Sequence, residues 1–536
     1  MRPLPLISLA IFLVLNLALS PGAKAQPSPT TPIQHVVVIF DEHISFDHYF
    51  GTYPTALNPP GQPRFKALPN TSTLNGFNPG LLTNNGNLNP ANGAGAVNPF
   101  RLNRSQALTA DQNNNYALKQ QSFDRGLMDL FPSTTGVAGG TPILYPPAVT
   151  TTGIVMGYYD GNTVTAIWNY AQYFALNDNS YTTQFGSSSP GALNLISGQT
   201  NGIIQSTALN TPSNSEVADG QGGFTLIGDA DPLSDVCAGP NNFQVNLSGK
   251  SVGDLLNTAG LSWGWFQGGF DLTRTNPNGT TGCNRSTVSP ITGLTEPDYV
   301  AHDEPFQFYA GTQNPAHTRP ASVASIGLSG DAANHQYDIH DFFDSLAAGN
   351  LAAVSFLKPP SYQDAHPGNS TPLDEQSFTV NAINTLEQSP FWNTTAVIIA
   401  YDDSGGWYDH QMGPLVNASF SSQDFLTGSN ACGTLNTTPQ LPGPNSGTVG
   451  VNGRCGYGVR TPLLVISPWA KPNYVDHTVT DQTSVLRFIE DNWSLGRIGG
   501  GSFDALANSI NSMFNFTQGS PQNTSLLILS TVTGQP

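Results

Sequence analysis

Four short apolar runs, Val36 to Phe40, Val354 to Leu357, Ala396 to Tyr401 and Leu463 to Ile466, share the character of strands covered on both faces. Between them, Val164 to Leu176, Ile339 to Ala348 and Asp374 to Leu386 repeat apolar residues three and four apart, which predicts amphipathic helices. Strand alternating with helix predicts an α/β fold with a doubly wound, mostly parallel sheet. Residues 55 to 100 and 430 to 455 are rich in Asn, Pro and Gly and read as long surface loops. The stretch from 200 to 300, with Trp263, Trp265, Phe266, Gly268 and Gly269, is expected to decorate the sheet and help wall a substrate site. The expectation is one domain over residues 26–536, carrying insertions at about 55–100, 200–300 and 430–455.

Composition sharpens this picture at the start of the chain. Arg2, the apolar stretch Leu6 to Leu19, and Ala23-Lys24-Ala25 before Gln26 read as a signal peptide over residues 1–25, so the mature protein is expected to be secreted or periplasmic. Charged residues make up 10% of the chain, and the formal charge is −18; cleavage removes Arg2 and Lys24 and takes it to −20. Nucleic acid is a poor partner for such a surface. An anionic substrate needs a local positive charge, and with only 18 Lys and Arg in the chain a metal is the natural source. Cys237, Cys283, Cys432 and Cys455 lack zinc-site spacing and read as two disulfides. Three connectivities are open; Cys237 with Cys283 and Cys432 with Cys455 is favoured, because each pair closes a Gly/Asn-rich loop.

The candidate chemistry lies where the strands end. The first run leads into Glu42 and His43, the third into Asp402 and Asp403, and the second through Lys358 and Tyr362 to Asp364 and His366. Ligands of open α/β sheets bind beyond the strands' carboxyl ends. An Asp-Asp pair is ordinarily a pair of loop acids, but with Glu42 at the equivalent edge of another strand, a shared divalent cation is the better reading. His366, as an imidazole at the same sheet edge, is a candidate for proton transfer to a leaving group or from water. Of His302, His317, His335 and His410, half are expected to be structural. Ser187, Ser188 and Ser189 precede Pro190-Gly191 in a small-residue turn that exposes a hydroxyl, yet no Gly-x-Ser-x-Gly elbow is present to suggest a Ser-His-Asp hydrolase.

Together these motifs resemble the bacterial phosphoesterase family of phospholipases C and acid phosphatases, a branch of the alkaline phosphatase superfamily. The matching segments are Ser45 to Gly51, Met156 to Asp160, Ser188 to Gly191, Glu304 to Gln307, Ala400 to Ser404, Gly406 to His410 and Arg460 to Pro462. The resemblance implies an alkaline-phosphatase-like sheet and a secreted enzyme cleaving phosphate monoesters or phospholipid head groups through a phosphoserine at Ser188. It implies one divalent metal held by Glu42, Asp402, Asp403 and Ser188, with His366 and His302 as catalytic histidines. By ligand hardness, Ca²⁺, Mg²⁺ or Mn²⁺ suits the oxygen donors; Zn²⁺ or iron becomes plausible if His43 reaches the ion.

Three positions depart from the family. Glu42-His43-Ile44-Ser45-Phe46-Asp47 replaces Glu-Asn-Arg-Ser-Phe-Asp, Asp111-Gln112-Asn113-Asn114 replaces Asp-x-x-His, and Ala301-His302-Asp303 replaces Pro-His-His. An asparagine and a histidine have exchanged places, and the expectation is that His43 and Asn114 face the same phosphate oxygen. The alternative is a catalytically impaired homologue that binds phosphorylated ligands or a surface partner. A sulfatase-like esterase is disfavoured by the lack of a Cys-x-Pro-x-Arg segment. Phospholipid hydrolysis would bring transient membrane-surface contact, for which the aromatics of residues 263 to 270 and 306 to 309 are candidates, with burial in the core as the competing reading.

Overall fold

The computed structural model describes residues 27–136, 152–207 and 215–536. The signal peptide expected over residues 1–25 lies outside the described residues. The elements that build the core are β1 (His35–Asp41), α1 (Thr165–Tyr173), β2 (Ala175–Asn177), α2 (Ser188–Ser197), β3 (Trp263–Gln267), β4 (Gln336–Asp338), α3 (Ile339–Ala347), β5 (Val354–Lys358), α4 (Pro372–Glu387), β6 (Thr395–Tyr401), β7 (Leu463–Ile466), β8 (Tyr474–Asp476) and α5 (Gln482–Asn492).

The eight strands form one sheet in the order β4-β3-β5-β1-β6-β7-β2-β8. All neighbours are parallel except at β7, which runs against both β6 and β2. Strand β1 lies in the middle, with Val38 paired to Phe356 on one side and Ile398 on the other. Val36 through Phe40 are fully buried, as expected of a strand covered on both faces, and each large aliphatic side chain so placed contributes about 1.5–3 kcal/mol. The helices start on local signals. Thr371 caps α4 by accepting from the N–H groups of Leu373 and Asp374, with Pro372 at the first turn. Asp338 and Asp341 form a reciprocal capping box at the start of α3.

Two sequence expectations change here. The periodic stretch Val164 to Leu176 does not stay helical: α1 ends at Tyr173, and Ala175 and Leu176 pair with Val465 and Leu464 of β7. Sheet pairing outcompetes the helical period at its last residues. The second change concerns Trp263, Trp265 and Phe266, which do not decorate the sheet or wall a substrate site. They are strand β3 itself, hydrogen-bonded between β4 and β5, and almost wholly buried. Phe270, Phe306, Phe308 and Tyr309 are buried as well, so these aromatics are core and supply no membrane-facing surface. The cysteines pair as Cys237–Cys283 and Cys432–Cys455. Among the described residues no helix is long and apolar enough to cross a membrane.

Candidate active site

Strand register brings the acids together. Asp41, at the end of β1, pairs with Tyr401, at the end of β6, so Glu42 and Asp402 leave the sheet side by side. The loops are then tied to each other: Asp402 N–H donates to the carbonyl of Asp41 at 3.0 Å, His43 N–H to Asp402 Oδ1 at 2.9 Å, and Ile44 N–H to the carbonyl of Asp403 at 3.0 Å. Gly405 makes this approach possible; it has φ +56°, and a Cβ there would lie 2.6 Å from the Cβ of His43.

Ser188 is the first residue of α2, beyond its cap residue Ser187. One turn on, Gly191 lies against the end of β6, where a Cβ would come within 2.2 Å of the Asp402 carbonyl oxygen. The missing side chain lets the helix bring Ser188 up to the aspartates. Ser188 Oγ is 3.1 Å from His43 Nε2, and the same nitrogen is 3.0 Å from Asn114 Nδ2 and 3.4 Å from Asp403 Oδ2. The His366 ring packs on that of His43, with centroids 4.0 Å apart. His302 stands beside α2: its carbonyl accepts from Ser189 Oγ at 3.3 Å, while its mostly buried ring faces Asp303 at 3.4 Å and Asp231 at 3.6 Å. Thus Ser188, His43, Asn114, His366, Asp402 and Asp403 form one cluster, Glu42 borders it, and His302 lies at its rim.

Two buried lysines reach this cluster. Lys119 Nζ donates to Asp403 Oδ1 at 2.6 Å and to the Gly186 carbonyl at 2.8 Å, and Lys358 Nζ bonds Glu42 Oε1 and lies 3.7 Å from Asp303. Burial opposes the charge on Lys358, but Asp303 and Glu42 more than reverse this and raise its pKa. Even so, Asp402 Oδ2 and Asp403 Oδ2 are buried with no hydrogen-bond partner. Burial, then Asp403 and Glu42, push the Asp402 carboxyl up to about 6. Such oxygens fit a divalent cation, which compensates both desolvation and mutual repulsion. Burial also opposes the charged forms of the two histidines. At His43 the carboxylates of Asp403, Asp111 and Asp402 win and raise the pKa well above the ordinary value; at His302, Asp303 leads the carboxylates that raise it to about 10.

His317, His335 and His410 make their contacts outside this cluster. His317 bonds Asp235 at 3.0 Å and the Phe270 carbonyl, and His335 bonds the Trp263 carbonyl. His410 joins a buried ion cluster in which Arg460 reaches Asp47 at 3.0 Å and Asp409 at 3.1 Å, while His410 Nδ1 lies 2.6 Å from Asp47. That cluster pins the short helix Phe46–Phe50, which follows Glu42 and His43, to the loop that follows Asp403. Lys119 is the site residue that sequence reasoning missed. It sits in an unremarkable helix, Tyr116–Ser122, and only its scarcity as one of 18 basic residues hinted at a role.

The chain is 24% identical over 509 residues to phospholipase C A of Mycobacterium tuberculosis, covering 92% of this chain and 79% of the relative. It is 23% identical to the non-hemolytic phospholipase C of Pseudomonas aeruginosa, covering 86% of this chain and 54% of the relative. Similar solved structures include a protein in the alkaline phosphatase superfamily from Vibrio parahaemolyticus, at 12% identity and TM-score 0.27, covering 80% of this chain and 75% of that one. The model of the phosphoesterase family matches residues 33–496. On that match over nearly its whole length, the chain belongs to the phosphoesterase family.

Proposed function

We propose that the chain is an exported, metal-dependent phosphoesterase, a single catalytic domain with inserted loops, that cleaves its substrate through a phosphoserine at Ser188. The observation that carries this reading is a pair of buried oxygens without a hydrogen-bond partner, Asp402 Oδ2 and Asp403 Oδ2, on aspartates that cluster with His43, whose Nε2 is 3.1 Å from Ser188 Oγ. Glu42, Asp402, Asp403 and Ser188 would hold the ion, which when bound lowers the pKa of the hydroxyl and offsets the charge of the phosphoryl group. Ser188 Oγ attacks phosphorus in line, forming a P–O bond to the serine as the ester P–O bond breaks. His366 or His302 gives a proton to the departing alcohol and is reprotonated by the proton that Ser188 gave up. Water then attacks phosphorus, frees the phosphate and returns the proton to Ser188. The amide groups at the start of α2 favour a phosphate oxygen next to Ser188.

His43 and Asn114 stand on one side of Ser188, 3.0 Å apart, which supports the exchange of the two donors as a coupled change. Restoring histidine with Asn114→His alone should alter kcat and its pH profile; unchanged kinetics would argue against the coupling. The relatives named phospholipase C support a phospholipid head-group ester as substrate, and a soluble phosphomonoester is the other candidate. The two disulfides suit an oxidising compartment.

Turnover of p-nitrophenyl phosphate and p-nitrophenylphosphorylcholine, each with and without EDTA, tests the proposal. Activity lost to EDTA and restored by a divalent ion is expected. No turnover of either substrate with any added ion, in a folded sample, would overturn it. That result would favour binding of phosphorylated ligands without turnover, a reading that Lys119 and Lys358 support by neutralising two of the three carboxylates.

A further inference from the structure

We infer that His43 is itself a ligand of the metal through Nε2, so that this site prefers an ion that accepts nitrogen, such as Zn²⁺ or Fe²⁺, over Ca²⁺ or Mg²⁺. The inference rests on the metal site just proposed and changes its donor set. His43 Nε2 lies 3.1 Å from Ser188 Oγ and 3.4 Å from Asp403 Oδ2. Donors about 2.1 Å from one ion are separated by roughly 3.0 Å along an octahedral edge and 3.4 Å along a tetrahedral one. The imidazole and the two aspartates also present ligand atoms that all lie within 4.8 Å of one another.

The ring is set up for this role. Asn114 Nδ2 and Ser188 Oγ both lie within hydrogen-bond distance of Nε2, and Asp403 Oδ2 stands on the same side, so this nitrogen is the one turned into the cluster. Nδ1 makes no hydrogen bond, and the nearest carboxylate behind it, Asp111 Oδ1, is 3.7 Å away, within a small movement of the contact that commonly supports a metal-bound histidine. The His366 ring lies across the imidazole at 4.0 Å and limits its rotation. The backbone at residue 43 has φ +58°, in the left-handed region that histidine, asparagine and aspartate enter more often than other side chains. Carboxylates alone suit hard ions, whereas one imidazole shifts the preference toward borderline transition metals. With His43 on the ion, Asn114 is left as the donor to the phosphate oxygen.

The test compares the full chain with its His43→Asn and Asp402→Asn variants after removal of metal by chelator. Binding of Zn²⁺ and Ca²⁺ is followed by calorimetry and that of Co²⁺ by visible absorption, with circular dichroism as the check of folding. The wild-type protein should bind Zn²⁺ more tightly than Ca²⁺. His43→Asn should weaken Zn²⁺ at least tenfold, leave Ca²⁺ within threefold and shift the Co²⁺ spectrum; Asp402→Asn should weaken every ion. Zn²⁺ affinity that stays within threefold in His43→Asn, with Asp402→Asn still impaired, overturns the ligand role and leaves the metal site standing. A wild-type preference for Ca²⁺ also overturns it, without recourse to any variant. Failure of the wild-type protein to bind any of these ions overturns both this inference and the metal dependence beneath it.

Discussion

Gly191 offers the sharpest test of how Ser188 is positioned. Gly191→Ala adds one methyl group where helix α2 meets the end of β6, and that carbon would stand 2.2 Å from the Asp402 carbonyl oxygen and 2.6 Å from its carbonyl carbon. Real Cβ contacts essentially never fall below 3.0 Å. Because the obstacle is backbone and not the end of a flexible side chain, helix and strand must separate by about 1 Å, a displacement that costs on the order of a hundredfold in rate when it falls on reacting groups. Overpacking should also cost about 1–3 kcal/mol of stability. Gly253→Ala is the matching control, since its Cβ would meet the Trp263 ring at 2.7 Å, in the core beneath β3. Turnover of p-nitrophenyl phosphate in saturating metal, alongside thermal unfolding, separates the two effects. Gly253→Ala should lose stability and keep kcat, whereas Gly191→Ala should lose both. A Gly191→Ala enzyme that retains kcat within threefold would refute the claim that this contact sets the distance between Ser188 and the aspartates.

Other outcomes can be checked alongside it. His366→Ala should lower turnover of alkyl phosphates by about 10²–10⁴-fold but affect p-nitrophenyl phosphate much less, because nitrophenolate leaves without a proton; equal losses would exclude leaving-group protonation by His366. Burial, reinforced by Asp504, raises the Glu490 carboxyl to about 9. Its contribution to stability is therefore complete below pH 4.5 and is lost as pH rises through 9, with a maximum slope of about 1.4 kcal/mol per pH unit. Glu490→Gln should flatten the thermal-stability profile across that range, and parallel profiles for the two proteins would contradict the assignment. Replacing Cys432 and Cys455 by serine should cost about 3 kcal/mol in urea unfolding, since the bridge spans 23 residues.

The central strands and the acids at their ends can be read from the chain before it folds. Val36 to Phe40 and Ala396 to Tyr401 carry a local mark, because a strand covered on both faces must be apolar throughout. Glu42, Asp402 and Asp403 were legible because they follow those runs directly, and Ser188 and His366 through motifs close at hand. Residues whose roles depend on distant partners were not legible. Trp263 to Gln267 carries the composition of either a wall or a core strand, and only pairing with β4 and β5 settles which it is. Helical period and strand propensity overlap at Ala175 and Leu176, where contact with β7 decides. Lys119 leaves no trace in its own neighbourhood, since Asp403 lies 284 residues away. The same is true of the exchanged pair: the sequence shows His43 and Asn114 as separate departures 71 residues apart, and the fold places their nitrogens 3.0 Å from each other. Local composition records what a segment must bury, but which charges and donors meet depends on strand register and on close approaches such as Gly191 against Asp402, and these exist only once the chain has folded.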